Sequence, residues 1–201
     1  MNIKLFKGLA CVVLLVLVAS VITACRPAIE NTQTETTTET APIYATSTNS
    51  SIQLTPVEKM GITGVAQDVD IDEYRLIVDG LVENPLSLTY QDILDYPSVT
   101  DIGVINCPGF FVDVGEWTGV PVRTLLDEAA VKPGATQLTF HALDGYTQSL
   151  SLEHIDKFDV FLAYIVNGQT LPREHGYPLR VVDNGSAGYA WIKWVENIEV
   201  E

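Results

Sequence analysis

Near residue 58 the sequence changes character, and that change decides where a fold can form. Residues 26–58 are rich in Thr, Ser, Glu and Asn and poor in large apolar side chains. Such a stretch cannot bury enough surface to offset the entropy of ordering it. Residues 25–58 therefore read as a flexible tether, with an r.m.s. reach of roughly 30 Å. Ahead of it, Leu9–Ile22 is a short apolar run that follows Lys4 and Lys7. Everything able to build a core lies in 59–201, a length that fits one domain.

The first 24 residues read as a signal. Two lysines make a positive start, and the apolar run is too short for a comfortable membrane span. It ends in Ile22-Thr23-Ala24-Cys25. These residues resemble the lipobox of bacterial lipoproteins, in which small residues before the cysteine admit the signal peptidase. The resemblance implies that Cys25 carries lipid and that the domain stands on the extracytoplasmic face of a membrane. Two or three acyl chains hold firmly, at about 0.8 kcal/mol per buried CH₂.

From Cys25 onward 9 basic residues face 26 acidic ones, a net of −17. Such a surface repels nucleic acid. Of the three cysteines, Cys11 lies in the signal and Cys25 at its end. Cys107 is then a single thiol with no partner inside the domain, in a compartment where disulfides are usual.

Hydrophobic period and turn chemistry predict an α+β domain, rich in strands. Strands are expected at Tyr74–Leu81, Val99–Cys107, Gln137–Leu143, Phe158–Val166 and Leu179–Val182. Ile192, Trp194, Ile198 and Val200 share one face at period 2, which predicts a last strand. Thr89 is placed to cap a short helix through Asp95, stopped before Pro97. A second helix is expected over Val122–Val131, behind Pro121. Asn167-Gly168 predicts a hairpin turn.

Common catalytic signatures are absent. The sequence has no phosphate-cradling glycine loop, no HExxH, no CxxC and no GxSxG. His141, His154 and His175 are too far apart to suggest a zinc site from spacing. What stands out is Cys107, then Glu116–Pro121 (EWTGVP), then Leu171–Arg180 (LPREHGYPLR) and Trp191–Trp194 (WIKW). With YRLIVDGLVENPLSLTYQDIL, FHALDGY and LAYIVNG in order, these resemble the molybdopterin-binding oxidoreductase domain of the sulfite oxidase family, over about residues 72–201.

That resemblance implies a fold, a molybdenum–molybdopterin cofactor and a set of roles. Cys107 matches the thiolate that ligates the metal, a soft donor that tunes its electronics. His175, Arg180 and the segment Trp191-Ile192-Lys193 match the grip on the cofactor's anionic phosphate, for which Arg offers a fork and Lys a point charge. Asp144 matches an acid that hydrogen-bonds the cofactor. The activity implied is two-electron oxygen-atom transfer on a small substrate, with a separate redox partner, because no heme or flavin motif is present. Tyr146, Tyr177 and Tyr189 are candidate pocket residues, and Trp117, Trp191 and Trp194 read as core or pocket wall.

The sequence also departs from the family. Cys107 is followed by Pro-Gly-Phe-Phe rather than by the arginines that hold sulfite, which points to a neutral or apolar substrate near Phe110 and Phe111. Ala142 stands where sulfoxide-reducing relatives have a threonine. The upstream segment that touches the cofactor in full-length enzymes falls in the expected tether. The chain also ends where those enzymes continue into a further domain. The leader has no arginine pair, so export through a general secretory route would separate the chain from a cofactor inserted in the cytoplasm. The alternative reading is a cofactor-free binding module that keeps the fold. The two readings part on geometry: the enzyme needs Cys107, His175, Arg180 and Lys193 around one cleft, with the thiol reachable from it.

Overall fold

The computed structural model describes residues 52–201. The expected signal, Cys25 and the tether up to residue 51 lie outside the described residues. Ten strands form two five-stranded sheets, with three short helices beside them. This is the strand-rich α+β architecture expected from the sequence.

The first sheet combines β1 (Leu76–Gly80), β2 (Leu86–Leu88), β5 (Gln137–Ala142), β6 (Thr147–Ser151) and β10 (Val195–Val200). Its order is β2-β1-β10-β5-β6, and only the β1–β10 pair is parallel. The second sheet holds β3 (Val99–Cys107), β4 (Phe111–Pro121), β7 (Phe161–Val166), β8 (Gln169–Thr170) and β9 (Arg180–Val182). Here β3 is an edge strand paired to β4, β4 pairs with β7, and β7 pairs with both β8 and β9.

Two apolar cores explain why the run FLAYIV of β7 is continuous rather than alternating. Leu162 and Tyr164 enter the main core with Leu76, Leu125, Phe140 and Ile198. Phe161, Ala163 and Val166 enter a second core with Ile105, Trp117, Leu171 and Trp191. A strand covered on both faces needs apolar residues at every position. The functional region sits at the rim of the second core.

Local chemistry sets the helix ends. Before α1 (Tyr90–Asp95), the Thr89 hydroxyl accepts from Asp92 N at 3.1 Å and the Asp92 carboxylate accepts from Thr89 N at 2.8 Å. This reciprocal cap satisfies two orphan donors. Helix α2 (Val122–Ala129) ends two residues earlier than expected, because Ala130 takes a left-handed conformation at φ 55°. Helix α3 (Leu152–Lys157), capped by Ser151, was not expected. It and the left-handed Asp159 delay the start of β7 from 158 to 161.

Two further expectations are corrected. The last strand begins at Val195, not at Ile192, since Trp194 is left-handed at φ 57° and breaks the extended run. Ile192 and Trp194 are buried as parts of a loop instead. The end of the expected tether is also folded. Thr55 N donates to Val114 O at 2.8 Å, a 3-10 turn spans Val57–Lys59, and Val57 and Met60 are buried in the second core. These two apolar side chains and the backbone bond to Val114 dock the segment, so the folded part starts ahead of residue 59.

Candidate active site

Three chain segments converge at one end of β3. The strand ends at Cys107, and Phe110 N donates to Cys107 O at 3.0 Å to close the turn toward β4. The turn after β5 presents Asp144, whose carboxylate accepts from Tyr146 N at 3.0 Å. The loop from Asp183 to Trp194 brings Gly188, Tyr189 and Trp191 alongside. A fourth contribution comes from Thr63 and Gly64, just beyond the docked segment.

Together they enclose a cavity of about 480 Å³, within the range of small-molecule sites. Its walls include Cys107, Pro108, Phe110, Tyr146, Tyr189, Trp191, Ile192 and Trp194. The only full charges among the described lining residues are Asp144 and Lys193. Phe110 stands at the mouth, 87% exposed. Cys107 is half-buried and open to this space. Gly188 lies against it: a β-carbon there would come within 2.3 Å of the Cys107 sulfur.

The cations gather at the cavity wall, with Lys193 in its lining and Arg180 and His175 behind it. Arg180, 5% exposed, has its guanidinium carbon 5.5 Å from the Trp117 ring centre and 5.9 Å from that of Trp191. It donates from Nη1 to His175 O at 3.0 Å, while its buried Nε has no acceptor. Burial pushes it down to about 10, against the pull of Cys107 and Asp113. Lys193 pairs across an isolated bridge with Arg180. Its ammonium donates to Thr63 O and to Glu174 O, and lies 4.2 Å from the Trp194 ring centre. Burial first, and the Arg180 charge second, bring Lys193 down to about 8. His175 donates from Nε2 to Val57 O at 3.2 Å. Its imidazole is held below the usual range by burial and then by Arg180. All three are moved toward the neutral form chiefly by burial; the Arg180 charge adds to this at Lys193 and His175, while Cys107 and Asp113 oppose it at Arg180.

Five of the residues singled out from sequence line the cavity: Cys107, Asp144, Trp191, Ile192 and Lys193. Arg180 and His175 do not line it and sit directly behind, linked by the Arg180–His175 hydrogen bond. Tyr146 and Tyr189 are wall residues, as considered, and the Tyr146 hydroxyl donates to Tyr189 O at 3.1 Å. Tyr177 is not: it packs edge-on to Tyr90 at 5.6 Å. Phe111 packs on the second core, leaving Phe110 alone at the mouth. The end of the expected tether supplies the Val57 carbonyl to His175, and the chain beyond it supplies Thr63 and Gly64 to the cavity wall and the Thr63 carbonyl to Lys193. Thr63, Gly64 and Gly188 carry no signal in sequence, because they act through backbone position rather than side-chain chemistry.

The sequence profile of the oxidoreductase molybdopterin binding domain matches residues 63–201. The chain belongs to this molybdopterin-binding oxidoreductase family. Its curated relatives include the uncharacterized oxidoreductase YuiH of Bacillus subtilis, 32% identical over 131 residues, covering 65% of this chain and 66% of that one. The sulfite oxidase of Arabidopsis thaliana is 28% identical, covering 65% of this chain and 42% of the relative. The protein-methionine-sulfoxide reductase catalytic subunit MsrP of Gluconobacter oxydans is 30% identical, with 63% and 46% covered. Among solved structures, the sulfane dehydrogenase SoxCD of Paracoccus pantotrophus superposes with a TM-score of 0.64 at 33% identity, over 67% of this chain and 40% of that chain. The chain thus spans from under half to about two thirds of these relatives.

The residues present fit the family's cofactor. A pterin dithiolene brings ligands of its own to the metal, so one thiolate is what such a group would need from the chain. Cys107 faces the cavity, and Gly188 leaves its sulfur the room a side chain would take. The Lys193 ammonium, two of whose three donors are engaged, keeps an unspent donor in the lining, and the orphaned Arg180 Nε is a second one behind the wall.

Proposed function

We propose that this protein is a lipoprotein held by Cys25 to the extracytoplasmic face of a bacterial membrane, and that its domain is a molybdopterin-dependent oxidoreductase. The substrate is small and neutral, and an oxygen atom passes to or from it with two electrons. One observation carries the reading: Cys107, Asp144, Trp191, Ile192 and Lys193 meet at one cavity, backed by Arg180 and His175.

In this reading Cys107 holds the metal, while Arg180, Lys193 and His175 hold the anionic phosphate. Asp144 accepts a hydrogen bond from the pterin, and Trp191 and Ile192 wall it in. When bound, the cofactor supplies a metal centre that changes by two electrons per turnover. The chain's own residues bind, orient and exclude water. Phe110, Pro108 and Tyr189 make an apolar entrance, and among the described residues no arginine lines the cavity to hold a substrate anion. A sulfoxide fits this chemistry better than sulfite does. Its reduction consumes two electrons and two protons and releases water, so a separate redox partner must deliver the electrons. The relatives named for methionine sulfoxide reduction support this direction.

Protein purified from membranes of a native host, grown with molybdate, tests the activity. A reduced viologen dye should be oxidised when a dialkyl sulfoxide is added, and an oxidised acceptor such as ferricyanide should not be reduced when sulfite is added. Turnover in neither assay would overturn the oxygen-transfer reading. A clickable fatty acid tests the anchor: the wild type should be labelled, and Cys25→Ala should be unlabelled and released from membranes.

A further inference from the structure

The loop that lies on Cys107 is fastened to the strand that carries Cys107, and one exposed side chain makes the fastening. Strand β3 is an edge strand, so its outer N–H and C=O groups have no neighbouring strand. Asn184 supplies what a neighbour would. Its Oδ1 accepts from Val104 N at 3.3 Å, and its Nδ2 donates to Ile102 O at 3.1 Å. A side-chain amide has the donor and the acceptor of a peptide group. Placed here, it pairs with residues 102 and 104 as one residue of an adjoining strand would. Nδ2 also reaches Asp101 Oδ2 at 3.3 Å.

The other end of this small clamp is internal. Asp183 is fully buried, and its two carboxylate oxygens each lie 2.9 Å from His154 Nε2 on α3. Its Oδ1 also accepts from Gly185 N at 2.9 Å. Asp183 therefore fixes where the loop leaves the core, and Asn184 fixes its register along β3. Four residues later comes Gly188, against the Cys107 sulfur and 3.2 Å, as a β-carbon, from Asn106 O.

We propose that Asn184 is a positioning residue of the site: it sets the register of the 183–190 loop on β3, and so the fit of Gly188 over Cys107. This rests on Cys107 being the functional thiol, but its test does not need the cofactor. Asn184 touches neither the cavity nor the core and is exposed, so its loss should leave the fold intact.

The experiment compares alkylation of Cys107 by iodoacetamide in the full-length chain, prepared without cofactor, with Cys11 and Cys25 both replaced by Ser throughout. Asn184→Ala removes both hydrogen bonds to β3. Asn184→Asp keeps the acceptor for Val104 N but turns a carboxylate oxygen on Ile102 O and the Asp101 carboxylate. Thr100→Ala is the control, since it removes the Thr100–Thr118 hydroxyl contact on the same strand without touching the loop. Asn184→Ala should raise the alkylation rate roughly tenfold, as expected for losing two ordinary hydrogen bonds; Asn184→Asp, which loses one and sets a carboxylate against Ile102 O and Asp101, should also raise it, with Thr100→Ala unchanged. Rates for Asn184→Ala equal to wild type would overturn the proposal. So would an equal rise in Thr100→Ala, which would mark general loosening of β3. Molybdenum content in a native host gives an independent reading: if wild type binds the metal and Asn184→Ala binds it equally, the loop's register does not matter to the site. If wild type binds none, the alkylation result still stands.

Discussion

A β-carbon on Gly188 would stand 2.3 Å from the Cys107 sulfur, closer than any two such atoms rest in a folded protein. The thiol and the loop over it are therefore built as one fitted pair. Gly188→Ala must move one of them. Overpacking of this kind costs about 1–3 kcal/mol. The expected outcome is a lower urea midpoint together with loss of molybdenum, measured on the same preparation. Retention of both would show that the loop yields freely.

Arg180 gives a sharper separation of structure from function. It is a buried cation with an orphaned Nε and no carboxylate hydrogen-bonded to it. Charge held in that way does little for folding, and apolar replacements of buried ions are often neutral or stabilising. Arg180→Met is expected to leave the cofactor-free domain within about 1 kcal/mol of wild type, or more stable. It should nonetheless abolish cofactor retention. Denaturant titration of the apo domain beside pterin analysis checks this. A loss beyond about 3 kcal/mol would make Arg180 a structural residue.

Lys193 predicts a pH signature. Folded, it releases its proton near 8, whereas the unfolded side chain keeps it to about 10.5. Between those values the unfolded state binds more protons, so this residue's contribution to stability rises with pH. The contribution is present above 10.5 and lost as pH falls through 8. Lys193→Met should therefore lose the most ground to wild type at alkaline pH, read as the difference between their unfolding midpoints across pH 7–10.5. Affinity for an anion should move oppositely, weakening above 8. A difference that stays flat with pH would contradict the placement of this ammonium.

Much of the fold could be read directly, and the residues that hid the rest share a reason. Strand β3 and the Thr89 cap follow from a run of β-branched residues and from capping chemistry, and both stand where expected. Strand β4 was missed. Its inward positions include Asp113, Gly115 and Gly119, while Val112 points outward, so apolar alternation is absent or inverted. Those small inward residues leave room for Trp117: a β-carbon on Gly115 would meet its Nε1 at 2.8 Å. The site followed the same rule. Cys107, Asp144 and Lys193 were visible as side chains with chemistry. Gly188, Thr63 and the carbonyls of the docked segment were not, because they shape the site with backbone.

Asp113 holds that docked segment. Its carboxylate accepts from Gly61 N at 2.7 Å, and it is buried. Asp113→Ala leaves an N–H without a partner, a loss of about 1–3 kcal/mol. Cleavage by a nonspecific protease within residues 52–65 should then accelerate, with the remainder of the domain resistant. Asp113→Asn keeps an acceptor and should behave nearly as wild type. Equal resistance in Asp113→Ala would show that Val57 and Met60 alone suffice to dock the segment.

Whether Cys107 holds a metal in protein loaded in its own host decides between an enzyme and a binding module. Molybdenum and pterin should be measured together in wild type and Cys107→Ser, each purified from molybdate-grown native cells. Wild type should carry both, near one of each per chain, and Cys107→Ser should lose the molybdenum while remaining folded. Wild type with neither molybdenum nor pterin would contradict the enzyme reading and leave a binding module that keeps the fold.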